Sequence, residues 1–224
     1  GRDIIHLLWR TLFVKSKKLT NQSLGEEIAN AISHGLGAGL SIAGMILMIL
    51  KAKTTEAMVG VILFASCAFL LYLMSCLYHS FKRESRVKRV FRRFDYASIY
   101  LLIGGTYLPI FLIVFNQPWD LILITIQWIV IITGITLKSV HFYKYKAVHM
   151  ALYLILGWSG IFIFKPLLDL SLSAFMFILF GGISYTIGTI FYGLKKVKYA
   201  HFIWHLFVLG GTILHFLAIY LFLL

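Results

Sequence analysis

Residues 201–223, HFIWHLFVLGGTILHFLAIYLFL, form one apolar segment without an Asp, Glu, Lys or Arg. A transmembrane helix needs about 20 predominantly apolar residues to cross about 30 Å of hydrocarbon, so this segment is long enough to span a membrane. Comparable apolar runs occupy residues 28–50, 57–80, 95–115, 120–140, 147–168 and 171–194. The sequence therefore predicts an all-α membrane protein, in which residues 26–224 form one bundle of seven transmembrane helices.

The composition excludes a water-soluble fold. Of the 224 residues, 60% are hydrophobic and only 13% are charged, whereas soluble domains average about 25% charged residues. The net charge of +13 comes from the segments between the apolar runs, and no basic stripe interleaved with aromatic residues is present outside them. We therefore expect membrane lipids as partners, and no nucleic acid.

The distribution of the 21 Lys and Arg residues predicts the orientation. All except Lys51, Lys53 and Lys165 fall in the first segment or in the second, fourth or sixth loop, which lie on one side of the bundle. Because positive charge accumulates on the cytoplasmic side, the N-terminus is predicted in the cytoplasm and the C-terminus outside. The predicted location is the inner or plasma membrane of the cell, with several membrane crossings.

The segment before the first apolar run is predicted to lie at the cytoplasmic membrane surface. Within residues 1–25, the stretch 2–14 (RDIIHLLWRTLFV) is too short to span but combines apolar residues with basic flanks. This pattern is typical of an amphipathic helix in the interface plane. The alternative is a loosely ordered terminus.

Polar residues within the predicted spans are few, and four of them share one depth. Charged and imidazole groups are costly inside a bilayer and therefore need partners. Span two runs towards the cytoplasm and ends near His79, whereas spans three and seven start there, at Asp95 and at His201 with His205. The topology alone therefore places these four side chains near the cytoplasmic face.

This group has the composition of a metal site. His201 and His205 are four residues apart, so one helix face presents two nitrogen ligands of the kind that zinc prefers, and His79 would be the third. Asp95 would bind a water or the metal itself, and Ser75, one turn before His79, would orient a ligand or a substrate carbonyl. Two alternatives remain open, namely a hydrogen-bonded histidine pair without metal, and Cys76 as a ligand.

The remaining histidines are assigned by position. His34 is at a suitable depth for the site, but its direction around the helix is not fixed by the sequence. His215 lies too far along span seven to join the site, and a buried hydrogen-bonded role is expected for it. Three others, in or beside loops, are predicted to be solvated: His6, His141 and His149.

Four motifs give the chain a resemblance to a known family. They are EEIANAISHGLG (26–37), SCLYHS (75–80), FDYASIYLLIGGTYLPIF (94–111) and HFIWHLFVLGGTILHFLAIYL (201–221). Over residues 26–224 the chain resembles the haemolysin III branch of the progestin and adipoQ receptor family. The resemblance implies a seven-helix bundle with zinc held by His79, His201 and His205, and with Asp95 reaching the metal through water.

Three functions follow as hypotheses. The wider superfamily includes alkaline ceramidases, so the resemblance implies a zinc-dependent hydrolase of a lipid amide, with Asp95 as proton acceptor and Ser75 assisting. The second hypothesis is a non-catalytic membrane sensor or regulator, in which zinc is structural and holds spans two and seven together. The third is a pore-forming cytolysin, which is disfavoured because no span shows a sustained polar stripe.

Overall fold

The computed structural model describes residues 22–142 and 144–224. Within that part, the secondary structure is helical and no strand occurs. The predicted interfacial helix of residues 2–14, and His6 with it, lie outside the described residues. The helices are α1 (Leu24–Lys51), α2 (Thr55–Ser80), α3 (Arg86–Val114), α4 (Trp119–Val140), α5 (Lys146–Trp158), α6 (Phe164–Leu170), α7 (Leu172–Gly193) and α8 (Ala200–Ala218), which continues as a π-helix over Ile219–Leu223.

The architecture confirms the predicted all-α membrane fold. Six helices are long and apolar enough to cross a membrane. Two shorter helical pieces, Ala147–Phe162 and Phe164–Leu170, meet at an angle of 54° and count as a seventh span when they are taken together. The protein is therefore a multi-pass membrane protein with six or seven spans, and the helix is broken within the predicted fifth span.

Helix α3 begins well before the predicted start of span three at residue 95. The charged run 82–93 was expected to be a loop, but its second half is helical from Arg86 onward. Ser85 caps the helix, because its side chain accepts a hydrogen bond of 3.0 Å from the backbone N–H of Lys88. Hydropathy marks only the part of a helix that lies in lipid, so it missed the first turns of α3.

The glycines in the spans allow close helix packing. A Cβ atom on Gly60 would lie 2.7 Å from the backbone of Pro109, so α2 and α3 touch at this point. Similarly, a Cβ atom on Gly181 of α7 would lie 2.3 Å from the imidazole of His215 in α8. These contacts hold α2 against α3, and α7 against α8, at distances that only small residues permit.

The break in the fifth span is stabilised by the hydroxyl of Tyr107. A turn of 3₁₀-helix, Ser159–Phe162, separates α5 from the bend. The Tyr107 hydroxyl donates to the carbonyl of Gly157 at 2.6 Å and accepts from the N–H of Gly160 at 2.8 Å. Inside a membrane, backbone groups released by a helix break need such partners.

Replacing Tyr107 by phenylalanine is therefore expected to destabilise the protein. Each backbone group left without a partner costs about 1–3 kcal/mol. We expect a fall of several degrees in the unfolding temperature of the detergent-solubilised protein, followed by intrinsic fluorescence. Tyr220→Phe is the matched control, because the Tyr220 hydroxyl forms no hydrogen bond with any described residue. Equal losses in both variants would contradict the assignment.

Candidate metal centre

Three histidines from two helices converge at one end of the bundle. His79 comes from the last turns of α2, and His201 and His205 come from the first turns of α8. One nitrogen from each ring lies within 4.8 Å of the other two, and the Nε2 atoms of His201 and His205 are 3.2 Å apart. The arrangement has the geometry of a metal site with three nitrogen ligands.

The orientation of His79 is fixed by a buried carboxylate. Its Nδ1 atom lies 2.8 Å from Oε2 of Glu27, and the same oxygen accepts a hydrogen bond of 2.9 Å from the ammonium group of Lys88. A nitrogen facing a carboxylate carries the proton, so Nε2 of His79 holds the lone pair. That Nε2 atom is buried and has no hydrogen-bond partner among the described residues.

His205 is oriented in the same way by α1. Its Nδ1 atom lies 3.3 Å from the carbonyl oxygen of Asn30 and 3.2 Å from the hydroxyl of Ser33. The Ser33 hydroxyl itself donates to the Asn30 carbonyl at 3.0 Å. A carbonyl only accepts, so Nδ1 of His205 carries the proton and the Nε2 lone pair points towards His201.

This donor set fits zinc. Tetrahedral coordination with Zn–N distances of about 2.0–2.1 Å separates the ligand nitrogens by about 3.3 Å. The 3.2 Å between the Nε2 atoms of His201 and His205 matches that separation, and a ring nitrogen of His79 lies within 4.8 Å of a nitrogen of each. Three protein ligands are typical of a zinc site with one open position. In such sites the second nitrogen of a ligand histidine usually donates a hydrogen bond that orients the ring, as in His79 and His205.

The two other predicted site residues lie beside the histidines but are not ligands in this geometry. Ser75 is fully buried and adjoins the Asp95 carboxylate, without a hydrogen bond of standard geometry between them. Both side chains line the cavity that also contains His201 and His205. Asp95 does not belong to the group within 4.8 Å, so it is not a direct ligand in this geometry.

His34 belongs to the site, although the sequence could not fix its direction. Its ring stacks on His205 with 3.5 Å between centroids and an angle of 8° between planes. The ring is buried, and neither of its nitrogens has a hydrogen-bond partner in the described part of the chain. His34 therefore packs against the ring of His205 without being one of the three grouped histidines. Cys76 is not part of the group and instead packs close to Gly35.

The remaining histidines give one prediction that holds and one that is wrong. Nε2 of His215 is 3.0 Å from the carbonyl oxygen of Ile178, which is the buried hydrogen bond expected for it. His149 was predicted to be solvated but is only 2% exposed, and its Nδ1 is 2.8 Å from the Tyr100 hydroxyl. Helix α5 packs this first-turn histidine against α3. His141 is partly exposed.

The residues that orient the histidines were not predicted from the sequence. Glu27, Asn30 and Ser33 on α1, and Lys88 on α3, are all buried. A signal was present, because Glu27, Asn30 and His34 are spaced three and four residues apart and so share one helix face. Polar groups on one face of an apolar helix indicate that the face points into the bundle.

Glu26 connects the start of α1 to the start of α8. One carboxylate oxygen accepts from the backbone N–H of Tyr199 at 2.8 Å, and the other accepts from the N–H of Ser23 at 2.7 Å. Tyr199 immediately precedes α8 and has the left-handed φ of 60°. This contact holds the first turn of α8, and with it His201, against α1.

A cavity of about 1150 Å³ adjoins the metal centre. It lies between α3, α5, α7 and α8, and its inner walls are mainly apolar, with Ile99, Leu102 and Ile110 among them. The indole of Trp158 on α5 crosses to α7, where it donates to the Thr186 hydroxyl at 3.0 Å. This volume exceeds the roughly 300–1,000 Å³ of common small-molecule pockets.

The contact between Glu27 and His79 predicts an effect on metal affinity. In Glu27→Gln the amide no longer fixes the tautomer of His79, and changes of this kind lower metal affinity about 10- to 100-fold. Zinc affinity is measured by competition with a chromophoric chelator. Glu56→Gln, at the exposed start of α2, is the matched control. Unchanged affinity in Glu27→Gln would contradict an orienting role.

Comparisons with known proteins agree with these observations. A family model described as "Haemolysin-III related" matches residues 22–216. The chain is 40% identical over 210 residues to Hemolysin-3 of Bacillus cereus, covering 91% of this chain and 95% of that protein. It is 37% identical over 201 residues to the Hemolysin-3 homolog of Bacillus subtilis (strain 168), covering 88% and 94%. A more distant relative is the monocyte to macrophage differentiation factor of Homo sapiens, 24% identical over 200 residues, covering 87% and 83%.

Proposed function

Since the chain belongs to the haemolysin-III related family, we propose that it is a zinc-binding membrane enzyme that hydrolyses an amide or ester bond of a lipid. One observation carries the proposal. Three imidazoles, two of them oriented by hydrogen bonds to α1, meet beside an apolar cavity that is also lined by a carboxylate and a hydroxyl. The proposed location is the inner or plasma membrane, with the centre near the cytoplasmic face.

His79, His201 and His205 would hold the metal. Zinc bound by three protein nitrogens supplies Lewis-acid polarisation of a carbonyl and a more acidic water. The described residues within reach provide these three nitrogens and no further ligand, which leaves a coordination position for substrate or water. This favours the catalytic interpretation over a closed structural site.

Asp95 and Ser75 would handle the proton and the substrate. Water adds to the carbonyl carbon, and the proton that it loses passes to the Asp95 carboxylate. The same proton then goes to the leaving nitrogen or oxygen as its bond to the carbonyl carbon breaks. The Ser75 hydroxyl, which is buried beside Asp95, would donate a hydrogen bond to the carbonyl oxygen or to the water.

The position of the cavity favours a lipid as substrate. The cavity lies among the membrane-spanning helices and extends from the histidines along α8 as far as His215. From His205 to His215 this is about 15 Å along a helix with a rise of about 1.5 Å per residue. An acyl chain of a membrane lipid would fill this apolar length, with its polar linkage at the metal centre.

The experiment is hydrolysis by purified, zinc-loaded protein of ceramide-like and acyl-lipid substrates, with products separated by mass spectrometry. We expect Asp95→Asn to lower the rate about 10²- to 10⁴-fold, because general-base catalysis contributes a factor of this size. Asp169→Asn, at an exposed surface pair with Lys165, is the control. Absence of turnover, together with zinc that stabilises the fold, would instead support the non-catalytic sensor or regulator.

A further inference from the structure

One mouth of the cavity is basic. Lys195, Lys196 and Lys198, in the loop between α7 and α8, line the cavity together with Arg83, which follows α2. All four side chains are exposed, so this end of the cavity opens to the membrane surface. The opposite end, near His215 and Phe175, lies among apolar residues.

The carboxylates near this mouth are already engaged. The two carboxylate oxygens of Glu26 accept hydrogen bonds from the backbone N–H groups of Ser23 and Tyr199. Lys198 is also near enough to interact with the charge of this carboxylate. Glu27 is paired with Lys88 and His79. Within residues 22–142 and 144–224, the ammonium groups of Lys195 and Lys196 form no ion pair. The mouth therefore carries a net positive charge.

These basic groups lie close to the metal centre. Lys198 lies in the turn that immediately precedes α8, three residues before His201, and both residues line the cavity. A lipid with its acyl chain in the cavity and its carbonyl at the histidines would place the polar half of the molecule beside the lysines. An anionic group there would be attracted, whereas a headgroup without net charge would gain nothing from the charges.

We propose that the cavity selects lipids whose polar half carries a net negative charge, from a phosphate or carboxylate close to the acyl linkage. The proposal rests on the proposed function in placing a lipid in this cavity. Basic residues also accumulate on the cytoplasmic face of any membrane protein. The positive charge alone therefore does not show whether these lysines bind a lipid or only set the membrane orientation. Lys82 and Lys144 serve as controls for membrane orientation. Both are exposed basic residues of the loops predicted to be cytoplasmic, and neither lines the cavity.

The test compares two single-chain probes that differ in the charge of the headgroup. Binding of dodecyl phosphate and of dodecylphosphocholine to the full protein in non-ionic detergent is measured by native mass spectrometry. We expect the anionic probe to bind on the order of tenfold more tightly, since each basic residue near a surface attracts an anionic lipid appreciably. The preference should disappear in the triple variant Lys195→Gln, Lys196→Gln, Lys198→Gln, and persist in the double variant Lys82→Gln, Lys144→Gln.

Three outcomes would overturn the proposal: equal affinity for both probes, the same loss of preference in the control variant, or displacement of dodecyl phosphate by an equal concentration of inorganic phosphate. The last result would mean that the lysines bind free phosphate without help from the cavity. Binding is measured without turnover and is repeated on His79→Ala protein. The preference for the anionic probe can therefore be confirmed even if no hydrolysis is found. Equally, absence of the preference would not contradict hydrolysis.

Discussion

Replacing His79 with alanine is expected to remove stoichiometric zinc and lipid hydrolysis together. The variant loses one of three ligands, and the two remaining imidazoles belong to a single helix. Changes to residues that only orient a ligand cost about 10- to 100-fold in affinity, so loss of the ligand itself should cost more. Metal content of the purified protein, measured by inductively coupled plasma mass spectrometry, should fall from one zinc per chain to a small fraction.

The matched control for this variant is His149→Ala. His149 is also a buried histidine near the end of a helix, but its partner is Tyr100 and it lies outside the ligand group. Its replacement should lower stability without changing zinc content. The proposed centre would be contradicted if His79→Ala retained one zinc per chain, or if His149→Ala lost the metal to the same extent.

The grouping of the three histidines could be predicted because membrane topology fixes depth. Once the spans are assigned, the end of α2 and the start of α8 must lie at the same level, so the sequence places His79 beside His201 and His205. The sequence does not give the rotation of each helix about its axis. The supporting residues Glu27 and Lys88 therefore emerged only when the packing of α1 and α3 was known.

The parts of the fold that escaped prediction have local physical causes. The break in the fifth span depends on the hydroxyl of Tyr107, which belongs to α3. The hydropathy of the fifth span itself therefore could not predict the break. The early start of α3 depends on the cap at Ser85 and on charged turns that extend beyond the lipid. His149 was misassigned because closeness to a loop in sequence does not exclude burial against a neighbouring helix.

Lys88 is the residue whose replacement should most destabilise the fold. Its ammonium group is fully buried and donates to the Glu27 carboxylate at 2.9 Å. It also donates to the carbonyls of Tyr78 at 2.9 Å and Phe81 at 3.2 Å, which lie at the C-terminal end of α2. One side chain of α3 therefore neutralises a carboxylate of α1 and donates hydrogen bonds to the last carbonyl groups of α2. The helix dipole also favours a cation at this end of α2.

Lys88→Met is expected to cost about 3–5 kcal/mol of unfolding free energy, because it leaves a buried carboxylate without its cation. For a chain of this size that corresponds to a fall of about 10 °C in the unfolding temperature. The measurement is thermal unfolding in detergent, with and without a zinc chelator. If the unfolding temperature falls by the same amount in the presence of chelator, the loss of stability comes from the ion pair and not from loss of the metal. Lys82→Met, at an exposed position, should change little.

The double variant Glu27→Gln, Lys88→Met tests whether the loss comes from the unpaired carboxylate. An amide in place of the carboxylate leaves no charge to compensate, so the double variant should be more stable than the sum of the two single losses predicts. Coupling between groups in direct contact is about 0.5–3 kcal/mol. Strictly additive losses would show that Lys88 acts only through the carbonyls of α2, and the electrostatic link between α1 and α3 would then be wrong.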